Sequence, residues 1–148
     1  HSWAGSRFVM RRLGELLFIE VIRQYLQHQG LTNNPWMRGL ADPLIAKCLS
    51  LLHSRIAETW TLEKLAAELN CSRSILAERF SRVIGVPPMK YLSQWRLQVA
   101  ARLLRDRPDK ILSIALSVGY ESEMSFSRAF KRSMGVSPSV FRRSVQVG

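Results

Sequence analysis

Two short stretches of this 148-residue chain gather cations in a way suited to phosphate contact. Arg73, Arg79 and Arg82 lie in the first, and Arg128, Lys131 and Arg132 in the second, with Arg142 and Arg143 just beyond it. The whole chain holds 22 Lys+Arg against 11 Asp+Glu, a formal net charge of +11, and most of the excess falls from Thr61 onward. That balance is the electrostatic footprint of a polyanion binder, and the clustering favours phosphate contact over general solubility. Catalytic chemistry finds no comparable basis. His1, His28 and His53 are isolated in sequence, and no H-E-x-x-H, paired-cysteine motif, P-loop or nucleophile elbow occurs. Cys48 and Cys71 are too few for a Cys-rich zinc site and read as unpaired thiols of a reducing compartment. An enzyme is not expected, nor a cofactor or metal.

The cationic stretches belong to a duplicated phrase. FSRVIGVPP at 80–88 returns as FKRSMGVSP at 130–138. At an offset of fifty, Ser72 pairs with Ser122, Leu76 with Phe126, Phe80 with Phe130, Arg82 with Arg132, Gly85 with Gly135, Pro88 with Pro138 and Tyr91 with Phe141. Upstream the offset is forty-nine: Leu65 pairs with Ile114, Ala66 with Ala115, Leu69 with Val118 and Asn70 with Gly119. One residue has entered between the blocks, as a turn tolerates best. Two copies are too few for a solenoid.

Each copy reads as a pair of helices. Thr61 stands as an N-cap before LEKLAAEL, whose Leu62, Leu65, Ala66 and Leu69 share a helical stripe. The pattern breaks at Asn70 or Gly119, residue types that accept the left-handed backbone of a tight helix exit. Ser72 and Ser122 then cap second helices with apolar stripes at Leu76, Phe80, Val83 and at Phe126, Phe130, Met134. Gly85 and Gly135 stop those helices, and Pro88 and Pro138 suit the opening turn of the next. The small Ala66 and Ala115 give clearance where two helices cross steeply. This is the helix-turn-helix plan, with an ordinary antiparallel helix pair as the alternative for either copy alone.

Between the copies, PMKYLSQWRLQVAARLLRD places Tyr91, Leu92, Trp95, Val99, Leu103 and Leu104 at helical spacing. A helix of that length spans roughly 28 Å, and adjacent major grooves on one face of B-DNA lie ~34 Å apart. The expected fold is all-α: helix-turn-helix units at about 61–85 and 111–135, a bridging helix at about 88–106, and an apolar helical segment in front. That segment, 7–29, is apolar nearly all round at Leu16, Leu17, Phe18, Ile19, Val21 and Ile22 and needs a cover, by another chain in a homodimer or by the rest of this one. A turn-rich link follows, and Asp42 and Pro43 open a helix bearing Leu44, Ile45, Cys48, Leu51, Leu52 and Ile56. No run of eighteen apolar residues and no signal peptide is visible, so a cytoplasmic chain without membrane contact is expected.

Residues 42–143 resemble the DNA-binding domain of the AraC/XylS family of bacterial transcription regulators. The resemblance rests on TLEKLAAELNCSRSILAERFSRVIGVPPMKYL at 61–92, YLSQWRLQVAARLL at 91–104 and SIALSVGYESEMSFSRAFKRSMGVSPSVFR at 113–142. It implies seven helices, recognition of double-stranded promoter DNA, activation through RNA polymerase and a nucleoid-associated location. It also implies that residues 1–41 are the helical tail of a cupin-like sensor domain that binds the effector ligand, and that 42–148 form the DNA-binding domain.

Carried over position by position, the resemblance puts base reading on Ser74, Ala77 and Glu78 and on Glu123, Met124, Ser125 and Arg128. The second set has fitting chemistry: Arg128 for guanine O6 and N7, Glu123 for cytosine N4, Met124 for a thymine methyl. The first set departs from a strong reader, since Ala77 has no hydrogen-bonding group and Glu78 brings negative charge toward phosphate. The first unit is therefore expected chiefly to position the protein through Arg73 and Arg82, with Lys131 and Arg132 serving phosphates in the second. Arg79 has two readings, phosphate contact or packing against the domain. The competing class is a basic helical adaptor for a protein partner.

Overall fold

A computed structural model describes residues 41–147, so the apolar segment at 7–29 and the tail at 1–40 lie outside the described residues. The described residues form seven helices and no strand: α1 (Pro43–Ser54), α2 (Leu62–Glu68), α3 (Arg73–Ile84), α4 (Pro88–Asp106), α5 (Ile111–Ser117), α6 (Glu123–Met134) and α7 (Pro138–Val147).

Local chemistry sets the helix ends. The Asp42 carboxylate accepts from the Leu44 and Ile45 amides at 3.0 and 3.4 Å, with Pro43 opening α1. The Thr61, Ser72 and Ser122 hydroxyls accept from the amides of Lys64, Ile75 and Ser125 at 3.0, 3.1 and 3.1 Å. Each such cap satisfies a donor the helix itself leaves orphaned. Gly85 and Gly135 end α3 and α6 with φ of 96° and 84°, the left-handed exit that glycine permits without a Cβ penalty. The one-residue change of offset falls between the paired helices: α2 and α3 flank Leu69–Ser72, whereas α5 and α6 flank Val118–Ser122.

The duplication extends to individual contacts. The Cys71 amide donates to the Ala66 carbonyl at 3.0 Å, as the Tyr120 amide does to Ala115 at 2.9 Å. Phe80 meets Tyr91 edge-on with ring centroids 5.7 Å apart, and Phe130 meets Phe141 the same way at 5.4 Å. Each unit closes over its own apolar cluster. The first buries Ile45, Cys48, Leu49 and Leu52 of α1, Trp60, Leu65 and Ala66, Leu76 and Phe80, and Tyr91 and Leu92 of α4. The second buries Leu97, Ala100 and Leu104 of α4 with Ile114, Ala115, Val118, Phe126 and Phe130. Burying one such large side chain contributes about 1.5–3 kcal/mol, so each cluster outweighs any surface interaction described below.

α4 thus gives its first turns to one core and its later turns to the other, with Trp95, Val99 and Leu103 only half-buried between and beside them. The stripe drawn from sequence had missed Leu97 and Ala100, because a helix that serves two cores turns a different face to each. Leu49 of α1, buried in the first core, was likewise outside the stripe drawn from sequence. Cys48 and Cys71 are both free thiols, and burial pushes the Cys48 thiol up to about 12. His53 stacks on Trp95 at 4.2 Å and its Nε2 lies 2.7 Å from the Tyr91 hydroxyl; burial pulls its pKa down to about 4, which keeps the ring neutral at neutral pH.

Candidate nucleic-acid interface

The apolar stripes of α3 and α6 are consumed by the two cores, which leaves the opposite faces outward. On α3 that face holds Ser74 and Glu78, exposed, and Ala77, half-buried. Between them stands Ile75, 52% exposed, which sequence reading had passed over. Its repeat counterpart is Ser125, so the duplication itself marked the position. An exposed apolar group there has the chemistry of a thymine-methyl contact, beside the Ala77 methyl.

On α6 Glu123, Met124, Ser125 and Arg128 are all exposed, Met124 to 63%. The Ser125 hydroxyl is already engaged: it donates to the Ser122 carbonyl at 3.1 Å and lies 3.0 Å from the Ser122 hydroxyl. Glu123 sits in the first turn, where the helix dipole favours an anion, and Lys131 and Arg132 sit in the last, where it favours cations. Among the described residues Arg128, Lys131 and Arg132 form no ion pair, and all three are exposed.

The cations of the first unit are partnered. Arg73 pairs with Glu63 across the α2–α3 turn at 2.7 Å, and Arg82 with Glu78 one helical turn back at 3.4 Å. Both pairs are well exposed, and such pairs are worth ~0–1 kcal/mol, weak enough for phosphate to displace the carboxylates. Glu78 therefore acts as an internal counter-ion to the cation beside it. Glu78→Gln should tighten non-specific duplex binding about two- to fivefold by freeing Arg82, with little change in base preference; titration against random duplex checks this.

Arg79 is anchored. Its Nη2 and Nε donate to the Asp42 carboxylate at 2.6 and 3.2 Å, joining α3 to the cap of α1. Burial works to raise the Asp42 pKa, but the Arg79 fork and the Ile45 and Leu44 amides outweigh it and hold the carboxyl below its ordinary value. Of the two sequence readings, packing against the domain is the one observed. Arg142 is likewise withdrawn from the cationic cluster: its Nε and Nη2 donate to the carbonyls of Leu104 and Arg107 at 3.1 and 3.0 Å, closing the C-terminus of α4.

A family described as a helix-turn-helix domain matches residues 65–144, more than half of the chain. An AraC-like transcription regulator of Streptomyces antibioticus is 39% identical over 143 residues, which is 97% of this chain and 47% of that protein. The chain belongs to the AraC family. It is also similar to the HTH-type transcriptional regulator MtrA of Neisseria gonorrhoeae, 33% identical over 94% of this chain and 46% of that one. This AraC-family chain spans about half the length of these curated relatives. Among solved structures it resembles the C-terminal domain of AraT, a response regulator from Geobacillus stearothermophilus (TM-score 0.68, 33% identity, 70% of this chain and 86% of that one). The DNA-binding domain of AdpA, solved in complex with a target DNA, superposes with a TM-score of 0.68 at 28% identity over 72% of this chain and 95% of that one. The all-α architecture of two helix-turn-helix units joined by a long helix is the AraC-type fold.

Proposed function

We propose that this AraC-family chain regulates transcription by sequence-specific binding to double-stranded promoter DNA, with α3 and α6 laid in adjacent major grooves. The observation that carries the proposal is the duplicated pair of outward helix faces at the two ends of α4, whose 19 residues span roughly 28 Å against a groove repeat of ~34 Å. Arg128, Glu123 and Met124 supply hydrogen-bonding and methyl-contacting chemistry on α6; Ser74, Ala77, Glu78 and Ile75 supply a weaker set on α3. Ser125 remains in the reading set as a shaping residue at the helix entrance. Lys131 and Arg132 ground one half of the interface on phosphates, and Arg73 and Arg82 the other once their carboxylates are displaced. No catalysis is part of this role.

The same reading assigns residues 1–41 to the tail of an effector-binding sensor domain and 42–148 to the DNA-binding domain. Activation would run through RNA polymerase, and the apolar segment at 7–29 would be covered by pairing with a second copy. A cytoplasmic, nucleoid-associated location follows from DNA as partner; no helix among the described residues is long and apolar enough to cross a membrane.

A gel-shift series comparing duplex from the upstream region of the regulated gene with random duplex tests the proposal. A clear affinity ratio is expected, and equal affinity would favour the basic adaptor instead. Within the specific complex, Arg128→Ala should cost ~1–3 kcal/mol and erase base preference in one half of the site, because a bidentate guanine contact is lost. Ser74→Ala should cost far less. Competition with single-base variants of the site measures both.

A further inference from the structure

Arg96 lies at the point of α4 where its contacts pass from the first core to the second, flanked by Leu92 on one side and Leu97 on the other. Its half-buried guanidinium reaches out of α4 into the link between α1 and α2. There Nε donates to the Ile56 carbonyl at 3.0 Å and Nη2 to the Glu58 carbonyl at 2.8 Å. The same Nε–Nη2 edge of the guanidinium lies against the turn of the second unit. A Cβ added to Gly119 would stand 2.8 Å from Cζ, Nε and Nη2 of Arg96. Burial draws the Arg96 pKa down and the neighbouring Tyr120 hydroxyl works in the other direction, as fits a half-buried group between the two units. Ile56, whose carbonyl is one of the two acceptors, packs against both apolar clusters.

The repeat shows why this contact needs a particular residue. Asn70 and Gly119 occupy the same place in the two turns and both take the left-handed backbone, with φ of 54° and 104°. Asparagine meets the left-handed turn at φ 54° in the first unit, whereas the φ of 104° at Gly119 already strains any L side chain. The neighbour differs as well: the guanidinium fills the space that a side chain at 119 would need. Apart from this seam, the principal helix pairs that pack together either lie within one unit or involve α4 itself. Each unit packs on α4, Ile56 touches both clusters, and the fork adds a fixed point between the α1–α2 link and the second turn.

We propose that Arg96 is a positioning residue for DNA reading, a clamp that fixes the second recognition helix relative to the first and thereby sets the half-site spacing the protein accepts. The inference rests on the DNA-binding role proposed above. Its test uses the full chain and a set of duplexes in which the preferred site has one base pair inserted or removed between its two halves. One base pair displaces the second half by about a tenth of a helical turn. The wild-type protein should therefore lose roughly tenfold in affinity on either altered spacer.

Arg96→Met removes the fork while keeping an apolar stem. It should bind the preferred spacer more weakly, yet show a spread of less than about threefold across the three spacers. Arg96→Lys, which keeps the charge but cannot span two carbonyls in a fixed plane, should fall between and provides the folded comparison if the methionine variant unfolds. Gly119→Ala, which displaces Arg96 and also strains the turn backbone, should shift the preferred spacer or flatten the preference. A folded Arg96→Met or Arg96→Lys protein that keeps the wild-type spacer discrimination, or loses affinity by one factor on all three duplexes, overturns the clamp. Wild-type protein that binds all three and random duplex alike would instead remove the DNA reading and this inference with it.

Discussion

Phe130→Ala is expected to destabilise the second helix-turn-helix unit by about 3–5 kcal/mol while leaving the first largely protected. Phe130 is fully buried and its ring meets Phe126 at 5.6 Å and Phe141 at 5.4 Å, so truncation opens a cavity bounded by two other rings that cannot collapse without leaving their own contacts. A domain of this size has a total stability of roughly 5–15 kcal/mol, so the loss is a large share of it. The apolar clusters are separate and joined through α4, which makes the damage local. Amide hydrogen exchange should accelerate in α5, α6 and α7 before it does in α2 and α3. Phe80→Ala should give the mirror image, since Phe80 holds the equivalent place against Tyr91. Exchange that accelerates equally in both units for both variants would mean that the two cores unfold as one.

Salt should weaken duplex binding by about a hundredfold between 50 and 200 mM monovalent salt. The figure follows from four phosphate-contacting cations, Arg73, Arg82, Lys131 and Arg132, each lowering the logarithmic slope by ~0.9. Arg79 and Arg142 are excluded from the count because Asp42 and the α4 carbonyls already hold them. Lys131→Ala and Arg132→Ala should each reduce the slope by about one. Arg79→Ala should leave the slope unchanged and lower stability instead, through loss of the tie to the α1 cap. Affinity titrations at several salt concentrations separate these outcomes; a slope near two would mean that Glu63 and Glu78 keep Arg73 and Arg82 paired even beside phosphate.

The parts of the fold that sequence made legible are those governed by neighbours in the chain. Asp42, Thr61, Ser72 and Ser122 cap the helices where they were expected to, Gly85 and Gly135 end them, and Ala66 and Ala115 sit buried at the crossings, because caps, left-handed exits and crossing clearance are local properties. The duplication then made each copy a check on the other. Legibility failed where a side chain answers to something distant. Arg79, Arg96 and Arg142 look alike as surface cations in sequence. In the structure they tie α3 to Asp42, α4 to the α1–α2 link, and α7 to the end of α4. Each of those partners lies more than thirty residues away. Trp60 gave no sequence signal either; it is buried with its Nε1 donating to the Arg55 carbonyl at 2.9 Å and cations over its ring. Ile75 was overlooked because an apolar residue on a helix is ordinarily assigned to the core. The repeat counterpart Ser125 points the same way as the packing, in which Leu76 fills the core and Ile75 does not.

Binding-site selection from random duplexes shows whether one chain reads two successive major grooves, with the stronger base preference under α6. Two blocks of base preference centred about 10 base pairs apart are expected, with the sharper block, rich in guanine contacts, lost when Arg128 is replaced by alanine. A single block, two blocks at a spacing that α4 cannot bridge, or a selected sequence left unchanged by Arg128→Ala would contradict that reading.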